Sequence, residues 1–211
     1  MAIPMPDTAT LEQAAMVEPA CVAYHGAKRG HIQKGENVLV IGAGPIGLFC
    51  MQSCFALGAG KVVIADMDEE RLALAKKLGA TATISVGKQN LKEALTEILG
   101  SEKKVDVFYD CVGEKGTVLN NILEIARRGS RVVVIGVLQK AYNIPLLPDF
   151  VQHELSLSGT TMYVPQDYRE MLDLMGRGVI RTEGMVSHHC TLEQVPEMLD
   201  NIVNRRIKTF K

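Results

Sequence analysis

The chain contains no tryptophan, only five phenylalanines and five tyrosines among 211 residues, and no surplus of either charge. Its 23 Lys and Arg stand against 24 Asp and Glu, a net charge of -1. That balance offers no basic field to nucleic acid or to an anionic membrane surface, so neither partner is expected. Long apolar runs are also missing. The longest, residues 45–59, is interrupted by Gln52 and Ser53, and a bilayer span takes about 20 residues. The N-terminus lacks the basic region, apolar core and cleavage site of a secretion signal. The five cysteines are odd in number and follow no framework spacing, which fits a reducing compartment and a cytoplasmic protein. Cys50 and Cys54, one helical turn apart, read as small core residues in preference to a metal or redox pair.

What is present is concentrated in residues 38–66, VLVIGAGPIGLFCMQSCFALGAGKVVIAD. An apolar strand at 38–41 breaks into Gly42, Ala43, Gly44, Pro45, Ile46 and Gly47. A long apolar helix follows, and then a second apolar strand at 62–65 that ends on Asp66. Each part has a mechanical use in holding a dinucleotide. Gly42 permits the tight turn, Gly44 lets the backbone approach a pyrophosphate, and Gly47 lets the helix lie close on the strand. The helix N-terminus offers unpaired N–H groups and partial positive charge to an anion. Asp66 lies 19 residues beyond Gly47, where a carboxylate accepts from adenosine ribose hydroxyls. Asp68, Glu69 and Glu70 add negative charge beside it, which disfavours a 2′-phosphate and favours NAD over NADP.

The pattern beyond Asp66 alternates between helix and strand. Helices are expected at 68–78, 89–99 and 116–127, and strands at 83–86, 105–112, 131–137 and 155–159, the last a core strand. Near-continuous apolar strands separated by helices specify an α/β fold with a doubly wound, parallel, six-stranded sheet, ligand lying at the carboxyl ends of the strands. Residues 138–154 hold two prolines and no helical period, which marks an edge or interface segment. Further helices are expected at 167–176 and 192–203, with an extended piece at 185–190 between them. Residues 1–35 form a leading helical segment, with a helix over 10–29 kinked at Glu18-Pro19, and 36–211 form the dinucleotide-binding domain. His188-His189-Cys190 has the look of a metal cluster, but neighbours on an extended chain point oppositely. Tyr24 and Lys28 spell YxxxK by accident, ahead of the glycine motif, and His25 reads as a packing or surface residue.

Several stretches together resemble the zinc-dependent medium-chain dehydrogenases, in the branch of the sorbitol, 2,3-butanediol and threonine dehydrogenases. They are Val17-Glu18-Pro19-Ala20-Cys21-Val22-Ala23, GAGPIG at 42–47, Asp66 with Arg71, Asp110-Cys111-Val112-Gly113, Val134-Ile135-Gly136-Val137 and Gly159-Thr160-Thr161-Met162-Tyr163. The resemblance covers essentially the whole chain but only part of such an enzyme. The catalytic domain of that family, with its early zinc-binding Cys, its Gly-His-Glu and its four-cysteine lobe, has no counterpart in this sequence.

The resemblance implies a Rossmann domain that positions nicotinamide for hydride transfer with a secondary alcohol or polyol. It implies NAD as cofactor, and zinc only in a full-length parent. Asp66 and Arg71 would hold the adenosine ribose, and Ile46 would approach the pyrophosphate through its backbone. Cys111 and Val112 would lie beside the adenosine half, and Ile135, Gly136, Val137, Thr160, Thr161 and Met162 along the nicotinamide. Tyr163 would face the catalytic cleft. Glu18 matches a position at the parent's catalytic zinc; no metal is expected in this chain, which alone would be inactive. A homodimer through the edge between Asn143 and Leu147 is also implied. Blander readings stand beside these: a capping carboxylate for Glu18, a solvated helix charge for Arg71, sheet core for Cys111, Val112, Ile135 and Val137. A free-standing dinucleotide sensor and the coenzyme domain of a zinc-free quinone or enoyl reductase remain as alternative functions.

Overall fold

The computed structural model describes residues 3–113, 117–137, 150–204, 206, 207 and 209. Six strands run parallel in the order β3-β2-β1-β4-β5-β6: β1 (Asn37–Ile41), β2 (Lys61–Asp66), β3 (Ala82–Ser85), β4 (Val107–Asp110), β5 (Arg131–Val134) and β6 (Ser156–Gly159). The strand order reverses between β1 and β4, which is where an open α/β sheet has its crevice. Between the strands run α3 (Pro45–Ala56), α4 (Glu69–Lys77), α5 (Leu91–Leu99) and α6 (Thr117–Ile125). Ahead of the sheet come α1 (Leu11–Ala15) and α2 (Val17–Arg29), and after it α7 (Pro165–Gly176) and α8 (Val195–Val203).

Strand periodicity divides the core in two. Val38, Val40, Val62, Ile64, Val107 and Tyr109 face one layer, packed under α2, α3, α4 and α7. Leu39, Ile41, Val63, Ala65 and Phe108 face the other, under α5 and α6. Both faces are thus covered, and the strands need apolar residues at every position. Helix α3 is apolar all round for a related reason: Leu48 through Cys54 are all buried, between the sheet and α2. Its one buried amide is satisfied, Gln52 exchanging two hydrogen bonds with the backbone of Arg181, at 2.7 and 3.0 Å.

Differences from the sequence expectation have local causes. The helix over 10–29 is two helices, because Pro19 has no N–H to carry the ladder back to Ala15; the break falls at Met16 and leaves Pro19 in the first turn of α2. The strand over 131–137 stops at Val134, because the next two amides, Ile135 and Gly136, both turn to the Asp110 carbonyl, each at 2.9 Å. The strand over 155–159 is an edge rather than core, with Ser156, Leu157 and Gly159 exposed. The extended piece expected over 185–190 is not a strand among the described residues: Met185 belongs to a turn and 186–190 join no ladder. The segment between Asn143 and Leu147 lies outside the described residues.

The leading segment is packed onto the sheet domain. Val17, Ala20, Cys21, Ala23, Tyr24 and Ala27 of α2 belong to the same core as α3, and Tyr109 donates its buried hydroxyl to the Ala27 carbonyl at 2.7 Å. A polar clamp adds direction to that contact. Asp167, fully buried in the first turn of α7, accepts from Val164 N–H at 3.0 Å and meets His25 Nδ1 at 2.7 Å and Lys28 Nζ at 2.9 Å. Lys28 also reaches Glu170, at 3.1 Å. His25 and Lys28 thus bind α2 to α7.

Burial works to raise the Asp167 pKa, but the Val164 amide, Lys28 and His25 outweigh it and hold the carboxyl below its ordinary value. A depressed folded pKa stabilises the fold above the unfolded carboxylate value, about 3.9, and that gain is lost as pH falls through the folded value. Urea denaturation should show the margin of the wild type over Asp167→Asn closing below about pH 4. At pH 7 Asp167→Ala should cost about 2–3 kcal/mol, the low end for breaking a buried pair, because His25 and Lys28 keep access to water.

Candidate dinucleotide site at the carboxyl edge of the sheet

Register gathers the residues singled out in the sequence. Ile41 stands opposite both Ala65 and Asp110, Asp110 opposite Val134, and Val134 opposite Gly159. The four segments that leave these positions therefore start from one row: 42–47, 111–113, 135–137 and 160–163.

The glycine loop is built as its sequence requires. Gly42 has φ +101 and donates to the Ala65 carbonyl at 2.8 Å; a Cβ there would lie 2.9 Å from Val112 Cγ2. A Cβ on Gly47 would collide with the Gly42 carbonyl oxygen. Helix and turn are in backbone contact there. Gly44 caps α3 with φ -70 and no side-chain hydrogen bond, a conformation open to any residue. Its lack of a side chain is thus unexplained by the turn and suits the close approach of something else. Pro45 occupies N1, the first turn holds no acid, and the Ile46 and Gly47 amides at N2 and N3 have no intrahelical acceptor.

Asp66 is anchored in a way the sequence did not announce. Its Oδ2 accepts from Ala43 N–H at 2.6 Å and its Oδ1 from Asp68 N–H at 2.9 Å. The carboxylate ties the glycine loop to the end of β2 and is only partly exposed. Asp68 caps α4, accepting from Glu70 and Arg71 N–H, which places Arg71 in the first turn of the helix that follows Asp66. Glu69 is less negative in effect than its place in the sequence implies. Ser85 Oγ at 2.6 Å and Lys88 at 3.0 Å hold its pKa below the ordinary value. Lys88 arrives from the turn after β3, too far along the chain for the sequence reading to have joined it to this site.

The remaining segments form the opposite wall. Cys111 N–H donates to Ile41 O at 2.9 Å; Cys111 is half-buried and Val112 exposed. Val137 is 81% exposed at the rim, where a pure core role does not hold it. Thr160 N–H donates to Val134 O at 3.2 Å, and its buried Oγ1 has no hydrogen-bond partner among the described residues. Thr161 and Met162 are exposed, and Met162 carries φ +54, an unfavourable left-handed backbone for a long side chain. Gly26 of α2 allows this wall its place: a Cβ there would lie 2.5 Å from Ile135 Cδ1 and 3.3 Å from Thr160 Cγ2.

Glu18 and Tyr163, far apart in the chain, are near enough to influence each other electrostatically. The Tyr163 hydroxyl is pushed up by partial burial and then by Glu18 and Cys21. Burial, with Asp167 and Glu18, pushes the Cys21 thiol up to about 12, so it is protonated at neutral pH. Among the described residues no group of three or more His, Cys, Asp or Glu is arranged to hold a metal ion. His188 is exposed and contacts Ser187 Oγ at 3.0 Å. An open concavity of about 350 Å³, lined by Ile3, Met5, Arg169 and Leu172, lies away from the glycine loop.

The backbone contact at Gly47 generates a prediction. Gly47→Ala should cost about 2–4 kcal/mol in urea denaturation, since the added methyl meets backbone rather than a movable side chain.

A family model described as zinc-binding dehydrogenase matches residues 45–177. The chain is 29% identical to a sorbitol dehydrogenase of Bacillus subtilis over 208 residues, 98% of this chain and 58% of that protein. It is 35% identical to an L-idonate 5-dehydrogenase of Vitis vinifera over 193 residues, 90% of this chain and 52% of the relative. A protein of Sinorhizobium meliloti 1021 described as a zinc-binding dehydrogenase, and solved bound to NADP, superposes with a TM-score of 0.86. It is 28% identical, and the match covers 95% of this chain and 59% of that one. The chain spans a little over half the length of the curated relatives it matches. The six-stranded sheet, its glycine loop and these likenesses agree: the chain belongs to the zinc-binding dehydrogenases of the medium-chain family.

Proposed function

We propose that this chain is the NAD-binding part of a zinc-dependent alcohol or polyol dehydrogenase, and that it holds nicotinamide for hydride transfer with a secondary alcohol. The supporting observation is the α3 N-terminus, capped by Gly44 with no acid in its first turn, just beyond the Ala43 amide that Asp66 anchors. Amides at Ile46 and Gly47 would receive the pyrophosphate, with Gly42, Gly44 and Pro45 shaping the approach. Asp66 would accept from the ribose hydroxyls with its remaining lone pairs, with Arg71 beside it. Cys111 and Val112 would cover the adenosine half. Ile135, Gly136, Val137, Thr160, Thr161 and Met162 would line the nicotinamide, the unpaired Thr160 hydroxyl being a ready hydrogen-bonding group.

Bound NAD would accept the hydride. Glu18 and Tyr163 would stand on the substrate side, and the Glu18-Pro19 pair favours a dehydrogenase over a sensor, which has no use for that acid. Zinc belongs to the whole enzyme on this reading, and the 211-residue chain alone would bind cofactor without turning over alcohol. Pairing of two copies through the edge between Asn143 and Leu147 is part of the proposal, and sedimentation of a strict monomer would count against it.

Asp66 with Asp68 and Glu70 repels a 2′-phosphate, so calorimetry should find NAD at least about tenfold tighter than NADP. Equal or tighter NADP would overturn the NAD assignment, and no binding of either would overturn the function. Asp66→Ala removes both the ribose acceptor and the tether on Ala43, so NAD affinity should fall by more than about tenfold.

A further inference from the structure

Asp110 belongs to none of the roles above, yet two of the cofactor walls converge on it. It ends β4 and is fully buried. Its Oδ1 accepts from Val112 N–H at 2.9 Å and from Gly113 N–H at 3.0 Å. Its main-chain carbonyl accepts from Ile135 N–H and Gly136 N–H, both at 2.9 Å. One residue thus gathers four amides, two from the segment after β4 and two from the segment after β5.

The two segments then touch backbone to backbone. Gly113 has φ +71, and a Cβ on it would lie 2.6 Å from Gly136 C and Val137 N. A Cβ on Gly136 would strike Gly113 N and lie 2.6 Å from Val112 C. Neither segment can shift without the other. The Asp110 side chain fixes the first segment, and the first segment is the surface on which the second rests. The other carboxylate oxygen, Oδ2, is buried without a partner among the described residues.

We infer that Asp110 is a positioning residue for the dinucleotide: it fixes the 111–113 and 135–137 walls as a unit through the Val112 and Gly113 amides. The inference rests on the dinucleotide reading given above. It follows that the acceptor is what matters and the charge is dispensable, because only Oδ1 is engaged. Asparagine keeps a carbonyl oxygen in that place; alanine strands two buried amides.

The test measures NAD affinity by calorimetry, well below each variant's thermal midpoint, for wild type, Asp110→Ala, Asp110→Asn and Leu95→Ala. Leu95 is fully buried in the core layer under α5 and α6, which includes none of residues 111–113 and 135–137, and its truncation serves as a destabilised control outside the walls. Asp110→Ala should bind NAD at least about tenfold more weakly, while Asp110→Asn and Leu95→Ala stay within about threefold of wild type. Amide exchange without ligand gives a second reading: Val112 and Gly113 should be protected in the wild type and exchange at least about tenfold faster in Asp110→Ala.

Unprotected Val112 and Gly113 amides in the wild type would overturn the inference even if Asp110→Ala did not fold. A tenfold loss in Asp110→Asn, or an unchanged NAD affinity in folded Asp110→Ala, would also overturn it. A wild type with protected amides that binds no NAD overturns the dinucleotide reading, and this inference with it, which separates the two failures.

Discussion

Everything at the carboxyl edge depends on the parallel ladder that aligns Ile41, Ala65, Asp110, Val134 and Gly159. A parallel strand must be reached by a crossover from the far end of its neighbour, so all the outgoing turns collect on one side. Register then decides which turn residues meet. A shift of one residue at β4 would reverse the faces of Phe108 and Tyr109, moving each into the wrong core layer. The apolar alternation that builds two cores is therefore also what places Asp110 beside Gly42.

The close backbone contacts follow from the same alignment. Gly47 lies against Gly42, Gly113 against Gly136, and Gly26 against Ile135 and Thr160. These three close contacts bring together a helix N-terminus, two strand-end turns and the helix that carries Glu18. The clamp of Asp167 with His25 and Lys28 holds that helix from its other side. Met162 sits in its unfavourable backbone conformation between these supports, preceded by Thr160 on the ladder and followed by Val164, whose amide is bound to Asp167.

Local signals made much of this legible in the sequence. The run from β1 through α3 to Asp66 carries its own punctuation in Gly42, Gly47 and the apolar stretches, and the observed turn is the one that spacing implies. Helices α4 and α5 stop at Gly79 and Gly100 as their sequence implies, both with left-handed backbone, while Asp68 and Asn90, expected inside the helices, cap them instead. The illegible part consisted of pairings between distant residues. Nothing near Asp167 signals that its partners lie more than 130 residues earlier, and nothing near Glu69 signals Lys88. Asp110 stood in a recognisable stretch, but its work is done on amides that only the folded turn brings to one oxygen. The edge position of β6 was hidden for a similar reason, since a short strand reads the same whether or not a neighbour covers it.

The tether from Asp66 to Ala43 constrains how this site could change over evolutionary time. An acid that only read a ribose could be exchanged for a neutral or basic residue in one step, with cofactor preference following. Here the same carboxylate satisfies an amide of the glycine loop and another at the start of α4. Exchange would leave both donors without an acceptor and release the loop it was meant to retune. Replacement of Asp66 would first require a substitute acceptor for Ala43, so the path to it passes through at least two coordinated changes.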